Sequence, residues 1–587
     1  DIDIEGGRRR QVLEHLRKEY GFDRVANVAT FGTEKAKSAI QTSCRGLDID
    51  VDTAMYLSAM IVEDRGAQRS LAQTFYGDEE AGFTRNKQFA FEMTNNYPEV
   101  WELAQRIEGI ICRSGEHAGG VIFVDESFTK STALMRAPNG DIITQFDLHD
   151  CEDCSLIKYD LLSVEALDKM HICLDLLVEQ GMIEYDSDLK RLYEKNIGIY
   201  NIERTNSEMW KMVWEHKIHS LFQMGEQSGI QGISLTLPES VDDLATLNSI
   251  IRLMAQEKGG EQPVNKFARF KKDIGLWYKE MDDYGLTLKE QDLLSSMFKI
   301  SYGICESQEG FMTLVQTPEC GGFDLTWADR LRKSIAKKNP EEYNGLEEEY
   351  FKEVRRKGLS INLCKYVWNV LVAMSKGYGF NKSHTLAYSL IALQEMNLAF
   401  NFPVIFWNCA CLVADSGGAE DDEQEEEIYL ELEEEDYDDI LEDFGLDEDD
   451  EDDEDEIKED KKSKKTKSSD YGKIATAIGK ITSSGIIVAP PDINKSTYTF
   501  SPDVENNTIR YGLSGITKIG EGLILNILAS RPYESLDDLV CKVRLNKPQI
   551  VNLIKSGALD CFGDRIEIME GYIDSISDKK NAINLRN

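Results

Sequence analysis

Two aspartates at the start of the chain have the spacing of a metal site. Asp1 and Asp3 are two residues apart, so on an extended strand both carboxylates project from one face, roughly 7 Å apart along it. With a third carboxylate from a neighbouring strand they could hold two Mg²⁺ ions ~3.5 to 4 Å apart, as in-line phosphoryl transfer requires. The alternative is that they are ordinary surface acids.

The candidate for the third carboxylate is Asp160, which interrupts the apolar segment 156–162. A carboxylate in an apolar strand is costly to bury unless it binds a cation or hydrogen-bond donors. Lys158 precedes it by two residues, so it shares the same face and places a positive charge beside the metals. Asp1, Asp3 and Asp160 are therefore the candidate metal-binding set, and a role as surface acids stays the alternative for the two terminal ones.

The elements that must position these acids are strands mixed with helices. An amphipathic helix is predicted over 8–20, where Val12, Leu13, Leu16 and Tyr20 share one face. Apolar runs of strand length follow at 25–31, 120–124 and 155–162. Helical periodicity prevails from about 170 to 410, for example at 366–374 and 386–400. This pattern predicts an α+β domain followed by a large, mostly helical region.

The charge of the chain is concentrated in one tract. The net charge is −40, which would usually argue against a nucleic-acid binder, but residues 420–460 contain 28 acidic residues and a single lysine, Lys458. Without that tract the net charge is only about −13. The tract cannot bury enough apolar surface to order itself, so we expect a disordered insertion. It is either a solvated linker or a decoy that mimics nucleic acid or binds a basic partner.

Length and composition limit the class of protein. With 587 residues we expect about four domains. No secretory leader is seen, the longest apolar stretch (398–414) is too short to span a bilayer, and 12 irregularly spaced cysteines suit a reducing compartment. We therefore expect a cytoplasmic protein with no membrane partner. The absence of an initiator Met suggests part of a longer chain.

Collinear motifs along the whole chain resemble the bacterial replicative DNA polymerase III alpha subunit, the C-family polymerases. The first half carries Asp1-Ile-Asp3-Ile-Glu5 with Arg8-Arg9-Arg10, Thr30-Phe-Gly-Thr33, His117-Ala-Gly-Gly-Val121, Thr144-Gln-Phe-Asp147 and Lys158-Tyr-Asp160. The second carries Leu221-Phe-Gln223, Tyr302-Gly-Ile304, Gln308-Glu309, Leu331-Arg332-Lys333 through Lys337-Lys338, and Gly377-Tyr-Gly-Phe-Asn381-Lys382-Ser383-His384.

The resemblance implies a polymerase-beta-like nucleotidyltransferase palm, a large helical fingers region and a helix-hairpin-helix module. It also implies two Mg²⁺ ions on Asp1, Asp3 and Asp160. In the alternative register, because the family motif is Pro-Asp-x-Asp-x-Asp, one Asp and its Pro precede position 1. Asp1 is then the second family carboxylate and Asp3 only flanks it.

For the dNTP phosphates, cationic side chains lie within two turns of a predicted helix, where arginine forks suit phosphate oxygens. They are Arg332, Lys333, Lys337 and Lys338. The alternative is a solvated cationic face. Lys382 and His384, beside a glycine-rich turn, and Arg252, at the place of a family arginine, complete the phosphate-binding set with Lys158. Arg252 is followed by Leu-Met-Ala instead of Pro-Gly-Pro. We assign His117 a structural, hydrogen-bonding role.

The late glycine-rich segment resembles the family's tandem helix-hairpin-helix. A turn of the kind Ile519-Gly520-Glu521-Gly522 exposes backbone N–H groups at a helix start, which bind a DNA phosphate without reading sequence. We expect Lys518, Gly520 and Gly522 to contact DNA, with 545–559 as the partner half. The alternative is an ordinary helix-entry turn.

The predicted organisation follows from these motifs. We expect palm at 1–45 and 111–168, a helical thumb at 46–110, fingers at 169–418, the insertion at 419–468, the tandem helix-hairpin-helix at 469–565 and a tail at 566–587. No amino-terminal phosphoesterase domain or clamp-binding pentapeptide is found in the sequence. We therefore expect no proofreading from this chain.

The predicted function is template-directed DNA polymerisation in a bacterial cytoplasm or nucleoid, which a phage-infected cell would also provide. The expected partners are primer-template DNA, dNTPs, a sliding clamp, other replisome proteins and an upstream polypeptide that completes the palm. The alternative is a catalytically inactive polymerase relative that acts as a DNA-binding or replisome scaffold. A nucleotidyltransferase that needs no template is disfavoured by the large fingers and the duplex-binding module.

Overall fold

The chain divides into two units, which are described separately. In the computed structural model the described residues of unit 1 lie within 2–164 and those of unit 2 within 165–576. The structure describes residues 2–64, 67–78, 83–130, 132–137, 140–251, 261–336, 340–375, 381–417 and 471–576. The acidic insertion and the predicted tail from 577 onward lie outside these ranges.

Unit 1 is built on a mixed sheet. Its strands are β1 (Ile2–Ile4), β2 (Val25–Thr33), β5 (Ile111–Phe123), β6 (Leu134–Arg136), β7 (Ile142–Thr144) and β8 (Lys158–Ser163), with β3 (Glu63–Asp64) and β4 (Ala67–Gln68) in a separate small hairpin. Among the described residues the large sheet has the order β1-β8-β5-β2-β7-β6. β1 runs parallel to β8, whereas β8 and β2 run antiparallel to β5.

The alternation of side chains on β8 decides which face of the sheet is covered. Leu161 is buried with Val121 and Val25 against Leu13 of the helix α1 (Arg9–Tyr20). Because successive residues of a strand point to opposite faces, Lys158 and Asp160 project to the other side. α1 ends at Gly21, whose φ of 110° lies in the region that favours glycine.

The remaining helices of unit 1 form a helical subdomain and one short helix before β8. They are α2 (Ala36–Gly46), α3 (Val51–Ala59), α4 (Leu71–Tyr76), α5 (Lys87–Phe91), α6 (Pro98–Ile107) and α7 (Leu148–Asp153). The subdomain has its own core, in which Ile40, Leu57, Phe89 and Val100 are buried. This core makes the subdomain a compact helical part of unit 1.

Unit 2 is a helical assembly around one large core, whose fully buried side chains include Trp210, Trp277, Trp368 and Trp407. Its helices up to 417 are α8 (Glu165–Glu179), α9 (Leu189–Ile197), α10 (Ser207–Trp214), α11 (Gln227–Thr236), α12 (Val241–Ile250), α13 (Pro263–Lys272), α14 (Gly275–Asp283), α15 (Leu288–Phe298), α16 (Gln308–Gln316), α17 (Leu325–Ala336), α18 (Pro340–Lys357), α19 (Ile361–Tyr366), α20 (Lys382–Asn401) and α21 (Val404–Asp415). A π-helical turn at Val367–Val372 continues α19.

After the insertion the chain first returns to this large core. The returning elements are α22 (Tyr471–Ser483), β9 (Ile487–Ala489), β10 (Ser501–Asp503) and β11 (Thr508–Arg510). Ile474, Ile481, Phe500 and Ile509 are buried in the same cluster as the helices before the insertion. The boundary at 469 stays a prediction, but these four residues pack with the preceding helices, whereas Ile493 is buried in the core of the last module.

A second cluster forms the core of the last module. Its helices are α23 (Glu521–Ala529), α24 (Leu536–Lys542), α25 (Lys547–Ser556) and α26 (Arg565–Ile576). Ile519 and Ile524 share this cluster with Leu553 and Ala558. The two predicted halves therefore pack on one core.

The mixed sheet of unit 1 and the helices of unit 2 confirm the predicted α+β class of the chain. Within the described ranges, no helix combines the length and hydropathy that a membrane span requires.

Candidate functional site

Asp160 and Lys158 form an ion pair on one face of β8. The Lys158 Nζ lies 3.0 Å from the Asp160 Oδ1, and the two side chains are 19% and 22% exposed. Lys158 is paired in register with Ile122 of β5, and Asp160 with Gly120. The predicted shared face is therefore observed, and the negative charge of the Asp160 carboxylate is balanced by the Lys158 ammonium.

Asp3 lies on the same face of the sheet as Asp160. In the parallel pairing of β1 with β8, Asp3 is opposite Leu162, two residues beyond Asp160. Paired residues of neighbouring strands point to the same side, as do residues two apart on one strand. Neighbouring strands are about 4.8 Å apart, and the two-residue offset between Asp160 and the position opposite Asp3 is about 7 Å along the strand. Position 1 lies outside the described residues, so the remaining predicted carboxylate, that of Asp1, is not placed.

Two glycines make room beside this carboxylate. A Cβ on Gly119 would lie 2.7 Å from the Leu162 side chain and 3.8 Å from the Asp160 Oδ1. A Cβ on Gly120 would lie 3.0 Å from both the His117 ring and the Lys158 side chain. Larger residues would therefore displace the groups around Asp160, which explains why this stretch of β5 is Gly-Gly.

His117 is a structural hydrogen-bond acceptor within β5, as the sequence predicts. Its Nδ1 accepts hydrogen bonds from the backbone N–H groups of Gly119 at 3.2 Å and Gly120 at 2.7 Å. Burial and the neighbouring Lys158 ammonium lower the pKa of His117, partly opposed by Asp160. The imidazole is therefore neutral, with its proton on Nε2, and it fixes the backbone next to Asp160.

Arg9 is a further residue at this site that the sequence analysis did not single out. Its Nε donates to the carbonyl of Leu161 at 3.2 Å, and its Nη1 lies 3.4 Å from the Glu116 Oε1. Its Nη2 is buried and has no hydrogen-bond partner among the described residues. Asn27 also donates to Glu116. The arginine run at 8–10 was the available signal, but the partner at position 116 is too distant in sequence to infer.

The donor set at this face suits a hard cation. Carboxylate oxygens are the ligands that Mg²⁺ prefers, and Asp3 and Asp160 share a face on adjacent strands. Within the described ranges, which exclude position 1, no group of three or more His, Cys, Asp or Glu side chains is arranged to hold a metal ion. The described residues fit Mg²⁺ in donor type and supply two of the three predicted carboxylates.

The predicted phosphate-binding helix of unit 2 is α17. Arg332 and Lys333 both pair with Asp329, one turn earlier, each at 2.8 Å. These hydrogen bonds lower the pKa of Asp329. The buried face of α17 is apolar, whereas Lys333 is exposed. Three further members of the predicted phosphate-binding set lie outside the described residues, namely Lys337, Lys338 and Arg252.

Lys382 and His384 lie in the first turn of α20. Asn381 caps this helix by accepting from the backbone N–H groups of Ser383 and His384. The Lys382 Nζ is exposed and lies 3.9 Å from the Glu306 Oε1, and its backbone N–H donates to Glu309. The His384 ring contacts Tyr388, with centroids 3.9 Å apart. The structure thus brings Lys382 and His384 together at one helix start.

The predicted DNA-contacting turn lies between Ile516 and α23. Lys518 has a φ of 67°, and Gly520 is the residue before the first turn of α23. A Cβ on either Gly520 or Gly522 would meet no atom of the described chain within 4 Å, so the space above this backbone is open with respect to those residues. Asn552 of α25 donates to the Thr517 carbonyl at 2.6 Å and ties the second half of the module to the turn.

Three family models match the chain in the order of these elements. Residues 1–163 match the bacterial DNA polymerase III alpha NTPase domain, and 181–358 match the finger domain of the same subunit. Residues 485–567 match a helix-hairpin-helix motif.

Whole-chain comparisons agree with the family models. The chain is 40% identical over 591 residues, all of its length, to a protein of Bacillus phage SPbeta named DNA-directed DNA polymerase. It is 27% identical to the DNA polymerase III subunit alpha of Campylobacter jejuni and to that of Deinococcus radiodurans, each over 98% of the chain. It covers 42%, 42% and 38% of these relatives, which is about two fifths of their length.

Proposed function

Because the chain belongs to the family of bacterial DNA polymerase III alpha subunits, we propose that it carries the catalytic core of a template-directed DNA polymerase. The observation that supports this most directly is the placement of Asp3 and Asp160 on one face of adjacent strands, within the region that matches the NTPase domain. The substrates would be dNTPs and the 3′-hydroxyl of a primer paired to a DNA template.

The proposed metal ligands are Asp1, Asp3 and Asp160, which would hold two Mg²⁺ ions. When bound, such ions lower the pKa of the attacking hydroxyl and stabilise the charge on the leaving pyrophosphate. The role of β8 is to fix the Asp160 carboxylate, and His117 and Arg9 brace the backbone on either side of it. Lys158 neutralises Asp160 until a cation competes, and its ammonium then becomes available to a phosphate oxygen.

The proposed dNTP-binding residues of unit 2 are cationic. Arg332 and Lys333 would exchange Asp329 for the triphosphate, since a dianionic phosphate is a stronger partner than one exposed carboxylate. Lys382 and His384 would bind phosphate at the start of α20, where the helix dipole favours an anion. The same chemistry assigns three more cationic residues to the phosphates. The complete proposed set is Lys158, Arg252, Arg332, Lys333, Lys337, Lys338, Lys382 and His384.

The proposed duplex contact is the turn formed by Lys518, Gly520 and Gly522. Its open backbone permits close approach of a phosphate, and Lys518 adds a positive charge. We propose a sliding clamp and other replisome proteins as further partners, in the cytoplasm or nucleoid of a bacterial cell.

Primer extension with Mg²⁺ and four dNTPs tests the proposal. We expect products whose sequence follows the template. Extension that ignores the template would contradict the proposal in favour of an untemplated nucleotidyltransferase. Duplex binding without extension would favour the inactive scaffold.

A further inference from the structure

A cavity of about 420 Å³ opens in unit 2, away from the cationic residues of α17. Its polar lining includes Lys169, Ser220, Gln223 and Glu226, and its apolar lining includes Phe222. This volume lies in the range of small-molecule sites, which combine an apolar wall with a few polar groups. The cavity can therefore accept a group of the size of a nucleobase.

The wall of the cavity is a loop with an unusual backbone. Ser220 and Gln223, which line the cavity, have φ values of 55° and 63°, and His216, which precedes the lining residues, has a φ of 53°. This left-handed conformation is one that residues other than glycine seldom adopt. Residues in such conformations persist only when the surrounding structure holds them, and they cluster at functional sites. Three such residues within eight positions indicate a loop whose backbone shape is held by the surrounding structure.

Side chains from α8 and α20 hold this loop. The Lys169 Nζ donates to the Ser220 hydroxyl at 2.8 Å and pairs with Glu165 at 2.7 Å. The backbone N–H of Phe222 donates to the buried Glu395 at 2.7 Å. Lys169 is 5% exposed and Glu395 is fully buried, so both act as internal anchors. The shape of the cavity wall is thus fixed before any ligand arrives.

Asn408 and Trp407 of α21 hold the loop one residue earlier. The Asn408 side-chain oxygen accepts from the backbone N–H of His219 at 3.2 Å, and the Trp407 indole donates to the His219 carbonyl at 2.8 Å. Both peptide groups of His219 are therefore satisfied by one helix.

An aromatic path joins the cavity to the start of α20. The Phe222 ring contacts Tyr388 with centroids 4.8 Å apart, and Tyr388 contacts His384 at 3.9 Å. His384 belongs to the proposed nucleotide-binding residues, so the cavity wall is continuous with them through ring contacts. This continuity favours a nucleic-acid ligand over an unrelated metabolite.

The charges of the lining select a base over a phosphate. Glu165 and Glu226 both line the cavity, and the described lysines next to Glu165, Lys169 and Lys473, already pair with Glu165 and with Asp415. A phosphate would therefore meet carboxylates and lysines that are already in ion pairs. A neutral planar group can instead stack on Phe222 and hydrogen-bond with the Gln223 amide, which both donates and accepts.

We propose that this cavity binds an unpaired nucleobase of the template strand, held by Phe222 and Gln223 on the anchored loop. The proposal rests on the proposed polymerase function for its ligand. It concerns binding and does not require catalysis.

Fluorescence anisotropy with the full chain tests the site without dNTPs. The probes are primer-template duplexes with a single-stranded template overhang, intact or with one abasic site at each successive overhang position. We expect one position at which the abasic site weakens binding by about 10-fold, the size of one base stack. Gln223→Ala and Phe222→Leu should weaken binding of intact DNA similarly and remove the difference between intact and abasic DNA.

Two further variants keep this test decisive. Gln223→Asn retains an amide and tolerates the left-handed backbone, so it guards against a misfolded loop. Gln231→Ala changes an exposed glutamine of α11 outside the cavity and should bind as the unaltered chain does.

Abasic effects that are the same in the variants as in the unaltered chain at every position would overturn the proposal. A thermal shift with inorganic pyrophosphate that depends on Gln223 would also overturn it, because the cavity would then be an anion site. Primer extension could also fail while the variants still remove the affinity difference between intact and abasic DNA. That result would reject the proposed catalysis but support the proposed base-binding site.

Discussion

The Lys158 ammonium lies 3.0 Å from the Asp160 carboxylate, two residues along the same strand. In this arrangement the acid expected to bind metal is already paired with a cation. A divalent ion would therefore compete with Lys158 for the Asp160 Oδ1 or bind the Oδ2 beside it.

Replacing Lys158 by Met tests this competition. We expect Lys158→Met to lower the Mg²⁺ concentration for half-maximal extension by roughly threefold to tenfold, because Asp160 loses its competing partner. The KM for dNTP should rise, because a phosphate contact is lost. Lys130→Met, which removes an exposed pair with Glu126 in the same unit, is the control. An unchanged Mg²⁺ midpoint would show that the pair does not compete with metal.

Arg332 and Arg330 provide a matched pair on α17. Arg332 pairs with Asp329, whereas Arg330 pairs with Glu349. We expect Arg332→Ala to raise the KM for dNTP by about 10-fold or more, the loss of one charge-assisted hydrogen bond, with DNA affinity unchanged. Arg330→Ala should leave the KM near its original value. Equal effects of the two substitutions in steady-state kinetics would remove the specific role of Arg332.

Lys518 should contribute one phosphate contact to duplex binding. We expect Lys518→Ala to weaken binding of all duplex sequences alike and to reduce the slope of log affinity against log salt concentration by about 1. Lys542→Ala is the control, because that lysine already pairs with Asp538 at 2.9 Å. A salt titration in which both variants keep the original slope would exclude the turn as a DNA contact.

Glu395 makes the stability of unit 2 depend on pH. Burial raises the pKa of Glu395 to about 8, so in the folded state its ionised form is disfavoured. The folded state keeps its full stability below the ordinary carboxyl pKa. As pH rises from there to about 8, this carboxyl ionises in the unfolded state but not in the folded state. The free energy of unfolding therefore falls by up to ~1.4 kcal/mol per pH unit. Glu395→Gln cannot ionise and should remove this loss.

Apparent melting temperatures between pH 5 and 9 measure the effect. The unaltered chain should lose more stability over this range than Glu395→Gln does. Glu348→Gln, at an exposed position on α18, is the control and should follow the unaltered chain. Parallel curves for all three proteins would mean that Glu395 does not titrate in this range.

The local features of the site could be predicted from the sequence because they depend on short periods. The two-residue repeat of a strand placed Lys158 and Asp160 on one face, and the 386–400 periodicity fell within α20 (Lys382–Asn401). The motif set also indicated the family that the comparisons show.

Non-local pairings could not be predicted in the same way. The contact of Arg9 with Glu116, 107 residues away, and that of Phe222 with Glu395, 173 residues away, depend on how the whole chain folds. Lys169 gave no signal in the sequence, since a lysine in a helix usually lies in solvent. Its burial follows from three partners, Glu165, Ser220 and Asp415, that only the folded structure brings together.

The most direct test of the account is primer extension by Asp160→Asn. The substitution keeps the size of the side chain and removes the charge that would hold Mg²⁺, so we expect extension to fall by roughly 1,000-fold or more while duplex affinity stays unchanged. Asp125→Asn, at an exposed position beyond the end of β5, is the control and should extend as the unaltered chain does. Extension by Asp160→Asn at the rate of the Asp125→Asn control would contradict the assignment of Asp160 as a metal-binding catalytic residue.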